Sequence, residues 1–278
     1  MTAENTEGFD EKGFLGGRVL LRQLRLGHRS GTDAALVIAA ARPDARGHIA
    51  DLGAGSGAIG LSLAVLEPSL EVTLIELDPQ IAALAAESAA LNGCAGRVRS
   101  LTANVEELAR SPRSHRELGA PYDLVVTNPP FTNARASQTS PDPGRALAHV
   151  AREGALARWI DAAHFLLRPK GVLIAIHRPD AMGEVLTALL PRFSAVAIRP
   201  VHARAEGAAT RILIRARKGG RAPLTLLPPL VLHEREGNFT RLAAAIHRGE
   251  ADLGFLPDGP ASTLKLSPDR QGQTRTRA

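Results

Sequence analysis

From Gly47 onward, short apolar runs alternate with segments of helical length, and glycine, proline or asparagine punctuates the joins. The runs His48 to Leu52, Val72 to Leu77, Val98 to Ala103, Tyr122 to Thr127, Val172 to His177, Ser194 to Arg199 and Arg211 to Ala216 predict seven strands. Between them, Ala58 to Leu66, Pro79 to Leu91, Ala146 to Leu167 and Ala181 to Leu190 predict helices. Pro68 stops the first helix, Asn92-Gly93 closes the second, and Arg168-Pro169-Lys170-Gly171 turns the chain after the third. Strands that read as buried, alternating with helices, argue for an α/β fold with a doubly wound, mostly parallel sheet.

The flanks read differently. Val19-Leu20-Leu21 and Leu24-Arg25-Leu26 predict short strands joined around Arg22-Gln23, and Gly31-Thr32-Asp33 opens an apolar helix, Ala34 to Ala41. Thr32 suits the N-cap of that helix and Pro43 ends it. Residues 1–12 are polar and acidic, and residues from about Pro257 onward are polar; both are expected to be disordered. Thr132 to Arg145 is a polar loop with two prolines, and Arg221 to Glu250 has the look of a strand and a helix packed on the main body. The expected organisation is an extension and lead-in helix over 1–46, the α/β domain over 47–220, a packed appendage over 221–256 and a tail over 257–278.

Composition adds modest constraints. Aromatics make up 3% of the chain, so Leu, Val, Ile and Ala must build the core. The lone cysteine, Cys94, excludes an internal disulfide and a cysteine zinc site and suits a reducing compartment. No N-terminal signal pattern is present, and no apolar run nears the roughly 20 residues of a membrane span. A soluble cytoplasmic protein without a membrane partner is expected. The nine histidines lack metal-ligand spacing, and no metal is expected; His149 and His164, within the long helix, read as surface or packing residues. A net charge of +6 hints at an acidic partner such as RNA, although ordinary surface charge accounts for much of it. Arg199, Arg204, Arg211, Arg215 and Arg217 fall on the last two strands and their connection, where they form either a phosphate-binding face or solvated strand-edge charge.

The first chemical motif is Asp51-Leu52-Gly53-Ala54-Gly55-Ser56-Gly57, placed between a strand and a helix. Glycines there allow a tight turn and close approach to a ligand. A literal G-x-G-x-x-G at Gly55, Gly57 and Gly60 invites a dinucleotide reading, but that loop must cradle a pyrophosphate. The acid Asp51 suits a cation better, and S-adenosylmethionine offers an ammonium and a sulfonium. Glu76 ends the second strand, where a carboxylate accepts hydrogen bonds from both ribose hydroxyls; Asp78 is the alternative. Asn104 ends the third strand and is placed to meet the adenine amino group.

The second motif is Asn128-Pro129-Pro130-Phe131 at the end of the fourth strand. The prolines fix the backbone and remove two amide donors. The Asn128 side-chain oxygen and the Pro129 carbonyl then accept the two protons of an exocyclic NH2, which aims the nitrogen lone pair at a methyl group. Phe131 supplies a face for stacking on the planar group. Such catalysis is positioning and electrostatics, with no strong base.

Together, the glycine loop, Glu76 and Asn128-Pro-Pro-Phe131 resemble the class I methyltransferases that act on exocyclic amines and amides. With Gly31-Thr32-Asp33 ahead of the loop, the chain is most similar to the bacterial tRNA(Val) adenine N6-methyltransferase family, over about Phe14 to Gly249. The resemblance also covers Ala151-Arg152-Glu153 and the stretch from Arg199-Pro-Val-His202 to Lys218-Gly219. It implies a seven-stranded Rossmann-like methyltransferase sheet with short appendages, S-adenosylmethionine as cofactor, Thr32 and Asp33 near it, and a tRNA substrate. Phe131 stands where that family often has Tyr, and Asn104 where it has Asp. The motif also resembles the Asn-Pro-Pro-Phe of rRNA guanine N2-methyltransferases, and a glutamine amide presents the same geometry, so rRNA guanine N2 and protein glutamine N5 both stay open as substrates. A cofactor-binding module without catalysis is the non-enzymatic alternative, against which the intact Asn128-Pro-Pro-Phe131 argues.

Overall fold

The computed structural model describes residues 8–25, 31–110, 116–119, 121–130 and 154–255. Strands β1 (Phe9–Phe14) and β2 (Val19–Leu24) form an antiparallel hairpin. Helix α1 (Thr32–Ala41) leads into β3 (His48–Leu52), α2 (Ala58–Leu66), β4 (Glu71–Glu76), α3 (Pro79–Leu91), β5 (Val98–Thr102), a single turn α4 (Val105–Leu108) and β6 (Tyr122–Thr127). After α5 (Ala155–Leu166) come β7 (Leu167–His177), α6 (Met182–Leu189), β8 (Phe193–His202), β9 (Ala209–Lys218), the two-residue strands β10 (Thr225–Leu226) and β11 (Leu230–Val231), and α7 (Arg241–His247).

The main sheet runs β5-β4-β3-β6-β7-β9-β8, with β10 and β11 both pairing parallel to β8. Every pairing from β5 to β7 is parallel, and β9 is antiparallel to both of its neighbours. The architecture is the α/β, doubly wound, mostly parallel sheet expected from the sequence, extended from seven strands to nine by β10 and β11. Successive residues of each strand point to opposite faces. Ile49, Leu74, Leu124, Val126 and Ile174 therefore join a core covered by α1, α2 and α3, while Ala50, Leu52, Ile75, Val125 and Leu173 join a second core covered by α4, α5 and α6. Burial on both faces is why these strands read as unbroken apolar runs.

Several expectations are corrected. Residues 9–12, the end of the stretch expected to be disordered, belong to β1, and Val19 to Leu24 is one strand rather than two. The free edge of β2 finds side-chain partners on α3: the Arg22 amide donates to Ser88 Oγ at 2.9 Å and the Leu20 amide to Asn92 Oδ1 at 3.0 Å. The helix at Thr32 has Gly31 in the cap position, so Thr32 is its first residue and not its cap. The segment Arg168–Gly171 is an irregular part of β7 that lies where the register on β6 shifts between Tyr122 and Leu124. The long helix expected from Ala146 starts at Ala155, with Gly154 in its cap position at φ +75°; residues 146–153, the loop 132–145, Leu26 and the tail 257–278 lie outside the described residues. Among the described residues no helix is long and apolar enough to cross a membrane.

The arginines do not make one basic face. Arg199 is buried and donates to Pro228 O at 2.8 Å and Gly254 O at 2.7 Å, tying the C-terminal segment to the sheet. Arg211 pairs with Asp33 at 2.9 Å, and Arg215 grips Asp44 through two bonds of 2.7 and 2.9 Å, so both ends of α1 are stapled to β9. Arg204 and Arg217 are exposed, but they sit towards opposite ends of the last two strands. Asp44→Ala should therefore strand the half-buried Arg215 and lower unfolding stability by about 1–3 kcal/mol. Arg217→Ala should change it by less than about 0.5 kcal/mol, and denaturant titration of both variants checks the contrast.

Candidate active site

Parallel register places three strand ends side by side. Leu52 of β3 lies opposite Ile75 of β4 on one side and Thr127 of β6 on the other. The next residues are Gly53, Glu76 and Asn128, so the glycine loop, the acid and the Asn-Pro-Pro turn emerge together at one edge. The chain runs to β4 and β5 on one side of β3 and to β6 and β7 on the other. Ligands of open α/β sheets bind at such a switch point, outside the carboxyl ends of the strands.

The glycine loop is held by two backbone bonds: Gly53 N–H and Ala54 N–H both donate to Ile75 O, at 2.9 and 3.0 Å. Gly53 has φ +67°, and a Cβ there would lie 2.8 Å from Trp159 Cζ2. Gly60 has a packing role, because a Cβ would lie 2.5 Å from Leu74 Cδ2 and 3.0 Å from Asp51 Cβ. Gly55 faces open space, with nothing within 4 Å of the point a Cβ would occupy. Backbone can thus approach a ligand at Gly55, while Gly53 and Gly60 seat the loop and α2 tightly on the sheet.

Asp51 is 1% exposed. Its Oδ2 accepts the Gly60 N–H at 2.8 Å, and its Oδ1 is buried without a partner. Burial pushes the carboxyl up to about 7, the Gly60 N–H opposes the rise, and the charge of Glu76 adds to it. A buried carboxylate short of one partner is the group that a cationic ligand would complete, and an anionic pyrophosphate would not. Glu76 is positioned by backbone: Oε2 accepts Gly55 N–H at 2.8 Å, and Oε1 accepts Leu77 N–H at 2.8 Å and Asp78 N–H at 3.1 Å. Asp78 caps α3 through Gln80 N–H and Ile81 N–H, which leaves Glu76 as the carboxylate at the loop. These residues fit S-adenosylmethionine, the methyl donor of this class of fold and motif. Asp51 would face its positive charge, Glu76 its ribose, and the open side of Gly55 would allow close backbone approach, whereas Gly57, expected to do the same, packs towards Leu74.

Asn104 has a different observed role from the one its position implied. Its amide oxygen accepts Glu106 N–H at 3.1 Å as the N-cap of α4, and its Nδ2 donates to Glu107 Oε1 at 2.9 Å. One lone pair of that oxygen is therefore engaged in capping. Asp33 is committed to Arg211, and Thr32 is half-buried at the start of α1. A residue passed over in the sequence stands closer to the loop: Gln23 of β2, 8% exposed, donates to Ser56 Oγ at 2.9 Å.

At the Asn-Pro-Pro turn the Asn128 side-chain oxygen is buried and has no partner. Pro129 is buried and Pro130 exposed; Phe131 and Ala151-Arg152-Glu153 lie outside the described residues. A small apolar hollow beside the turn is lined by Thr127, Pro129, Trp159 and His177 among others, and burial lowers the His177 imidazole pKa. Trp159 went unnoticed in the sequence; its being the single tryptophan of the chain was the only signal. Among the described residues no cluster of three or more metal-ligating side chains occurs.

Residues 30–198 match the family model of the methyltransferase small domain. The chain is 31% identical over 198 residues to the tRNA1(Val) (adenine(37)-N6)-methyltransferase of Aeromonas hydrophila, covering 70% of this chain and 79% of that one. It is 34% identical over 166 residues to the enzyme of the same name from Porphyromonas gingivalis, covering 56% of this chain and 61% of that one. A solved structure described as a predicted O-methyltransferase from Agrobacterium tumefaciens superposes with a TM-score of 0.65 at 30% identity, covering 79% of this chain and 97% of the other. With its glycine loop and Asn-Pro-Pro turn at the switch point of a doubly wound sheet, this chain belongs to the methyltransferase small domain family.

Proposed function

We propose that this protein transfers a methyl group from S-adenosylmethionine to the exocyclic N6 of an adenine in tRNA. The observation that carries the chemistry is the Asn128 side-chain oxygen, buried and without a partner at the end of β6. An unsatisfied buried acceptor costs stability of the order of 1–3 kcal/mol, and a substrate N–H removes that cost. The similarity to the two tRNA1(Val) (adenine(37)-N6)-methyltransferases supports adenine N6 and tRNA.

When bound, S-adenosylmethionine supplies an electrophilic methyl group on a sulfonium. The protein supplies placement. Asn128 Oδ1 accepts one N–H of the target amine and the Pro129 carbonyl the other, which turns the nitrogen lone pair out of conjugation with the ring. The nitrogen would gain the methyl as the donor's sulfur–methyl bond breaks to leave a neutral thioether, and the proton it sheds would pass to water. Asp51 would hold the cofactor's cationic end and Glu76 its ribose. Asn104, already bonded to Glu106 N–H, has one lone pair left for the adenine of the cofactor. By the family resemblance, Thr32 and Asp33, at the start of α1, would lie near the cofactor. Phe131, directly after Pro130, provides the stacking face, worth about 1–3 kcal/mol per base. The target must be unstacked or flipped, which favours a loop of tRNA over a duplex.

Transfer of labelled methyl from S-adenosylmethionine to bulk tRNA, against bulk rRNA and bulk protein, tests the substrate class. Label on tRNA is expected; label on rRNA alone, or on protein alone, would move the activity to guanine N2 or to glutamine N5.

Asn128→Ala should lower kcat by about 10²–10³-fold, the scale of one lost transition-state contact. Affinity for S-adenosylmethionine should change by less than about threefold, because the side chain meets the target amine and not the cofactor. Calorimetry and single-turnover rates check the split.

Asp51 makes cofactor binding pH-dependent. Its folded pKa is raised to about 7, so below that pH the carboxyl is neutral and must lose a proton to meet a cation. Affinity should rise with pH up to about 7 and level off above it, by up to about tenfold per pH unit for one linked proton. The same raised value means that the free protein loses stability as pH climbs from the ordinary carboxylate range to about 7. Asp51→Asn should bind more weakly at pH 8 and lose this part of the pH dependence, as calorimetry across the range would show.

A further inference from the structure

We propose that Thr127 and Trp159 are positioning residues that lock the methyl-donor loop and the acceptor turn into one rigid unit. This rests on the functional reading above and adds a part of the machinery to it.

The bridge is continuous in hydrogen bonds and packing. Thr127 immediately precedes Asn128, and its hydroxyl donates to Leu52 O, the carbonyl immediately before Gly53, at 2.8 Å. The same hydroxyl accepts the indole N–H of Trp159 at 2.8 Å. Both capacities of one buried hydroxyl are used, so its rotamer is fixed from two sides. The indole ring lies flush on Gly53, within 2.8 Å of where a side-chain carbon would begin. One side chain of α5 therefore touches the first residue of the glycine loop and the last residue before Asn128. Its neighbour Arg158 pairs with Glu106 of α4 at 2.6 Å, next to the cap Asn104. The start of α5 thus meets the loops after β3, β5 and β6 together.

Methyl transfer needs donor and acceptor within a few tenths of an ångström of their productive separation, and a misplacement of about 1 Å can cost on the order of 10²-fold in rate. The strands alone fix backbone register. The Thr127–Trp159 bridge additionally fixes how each loop leaves its strand, because it holds the carbonyl and hydroxyl at the exit points. It also gives Gly53 a reason to lack a side chain beyond its backbone angle.

The test uses the full chain with Thr127→Val, which keeps shape and removes the hydroxyl, and Trp159→Phe, which keeps a ring on Gly53 and removes the N–H. Each should lower kcat by about 10–100-fold while S-adenosylmethionine affinity moves by less than about threefold. The double variant should be little worse than either single one, because the two act as a unit. Thr127→Ser, which restores the hydroxyl, should recover most of the rate. The single tryptophan gives a second readout: titration with S-adenosylhomocysteine should change Trp159 emission in the native chain, and Thr127→Val should shift the emission of the free protein.

Variants with kcat within about twofold of native would overturn the inference. So would a rate loss that follows a fall in melting temperature and is not recovered by Thr127→Ser. A native protein that methylates neither RNA nor protein would instead refute the functional reading, while the emission experiment would still report on the bridge.

Discussion

The site depends on one constraint: β3 and β6 are neighbours in parallel register and end at the same level. Adjacent strands lie about 4.8 Å apart, so the loops that follow Leu52 and Thr127 must start side by side. A glycine loop and an Asn-Pro-Pro turn separated by some seventy residues of chain become neighbours by that pairing. A slip of one residue would turn Asp51 from the α2 side to the α5 side and exchange the two cores. The continuous burial of both faces prevents it, because each strand is locked by apolar residues that have a place on one face only.

Two side-chain oxygens at these strand ends are buried without a protein partner. Asp51 carries a buried, half-satisfied carboxyl, and Asn128 carries a buried, unsatisfied oxygen. Several other charges of the sheet are paired: Arg215 with Asp44, Arg211 with Asp33, and Arg199 with two backbone carbonyls. Two deficits of opposite use, one suited to a cation and one to an N–H donor, lie at the ends of adjacent strands. Under the proposed function, a methyl donor with a sulfonium and an acceptor with an exocyclic amine would supply those complements.

Much of this was legible in the sequence because it is local. Ala58 to Leu66, Pro79 to Leu91 and Tyr122 to Thr127 announce themselves by apolar runs and by the proline, glycine and asparagine that end them. The glycine loop, Glu76 and Asn128 are local as well, each marking a strand end. What stayed hidden is set by tertiary partners. β1, half-exposed and polar, is a strand because β2 pairs with it. β10 and β11 exist because β8 offers an edge. The same limit explains the arginines, whose acids Asp33 and Asp44 lie far away in sequence, and Trp159, whose meaning comes from Gly53 and Thr127. Asn104 shows the converse: a strand-end asparagine has a capping role that the neighbouring Glu106 amide makes available.

The substrate is the point on which the chemistry and the similarity to tRNA methyltransferases meet, and it can be read directly. Unmodified tRNA is incubated with the protein and S-adenosylmethionine carrying a deuterated methyl, then digested to nucleosides and analysed by mass spectrometry. The account predicts the label in N6-methyladenosine, lost when Asn128 is replaced by alanine. Label in N2-methylguanosine, or tRNA that gains no label while the protein binds its cofactor normally, would contradict it.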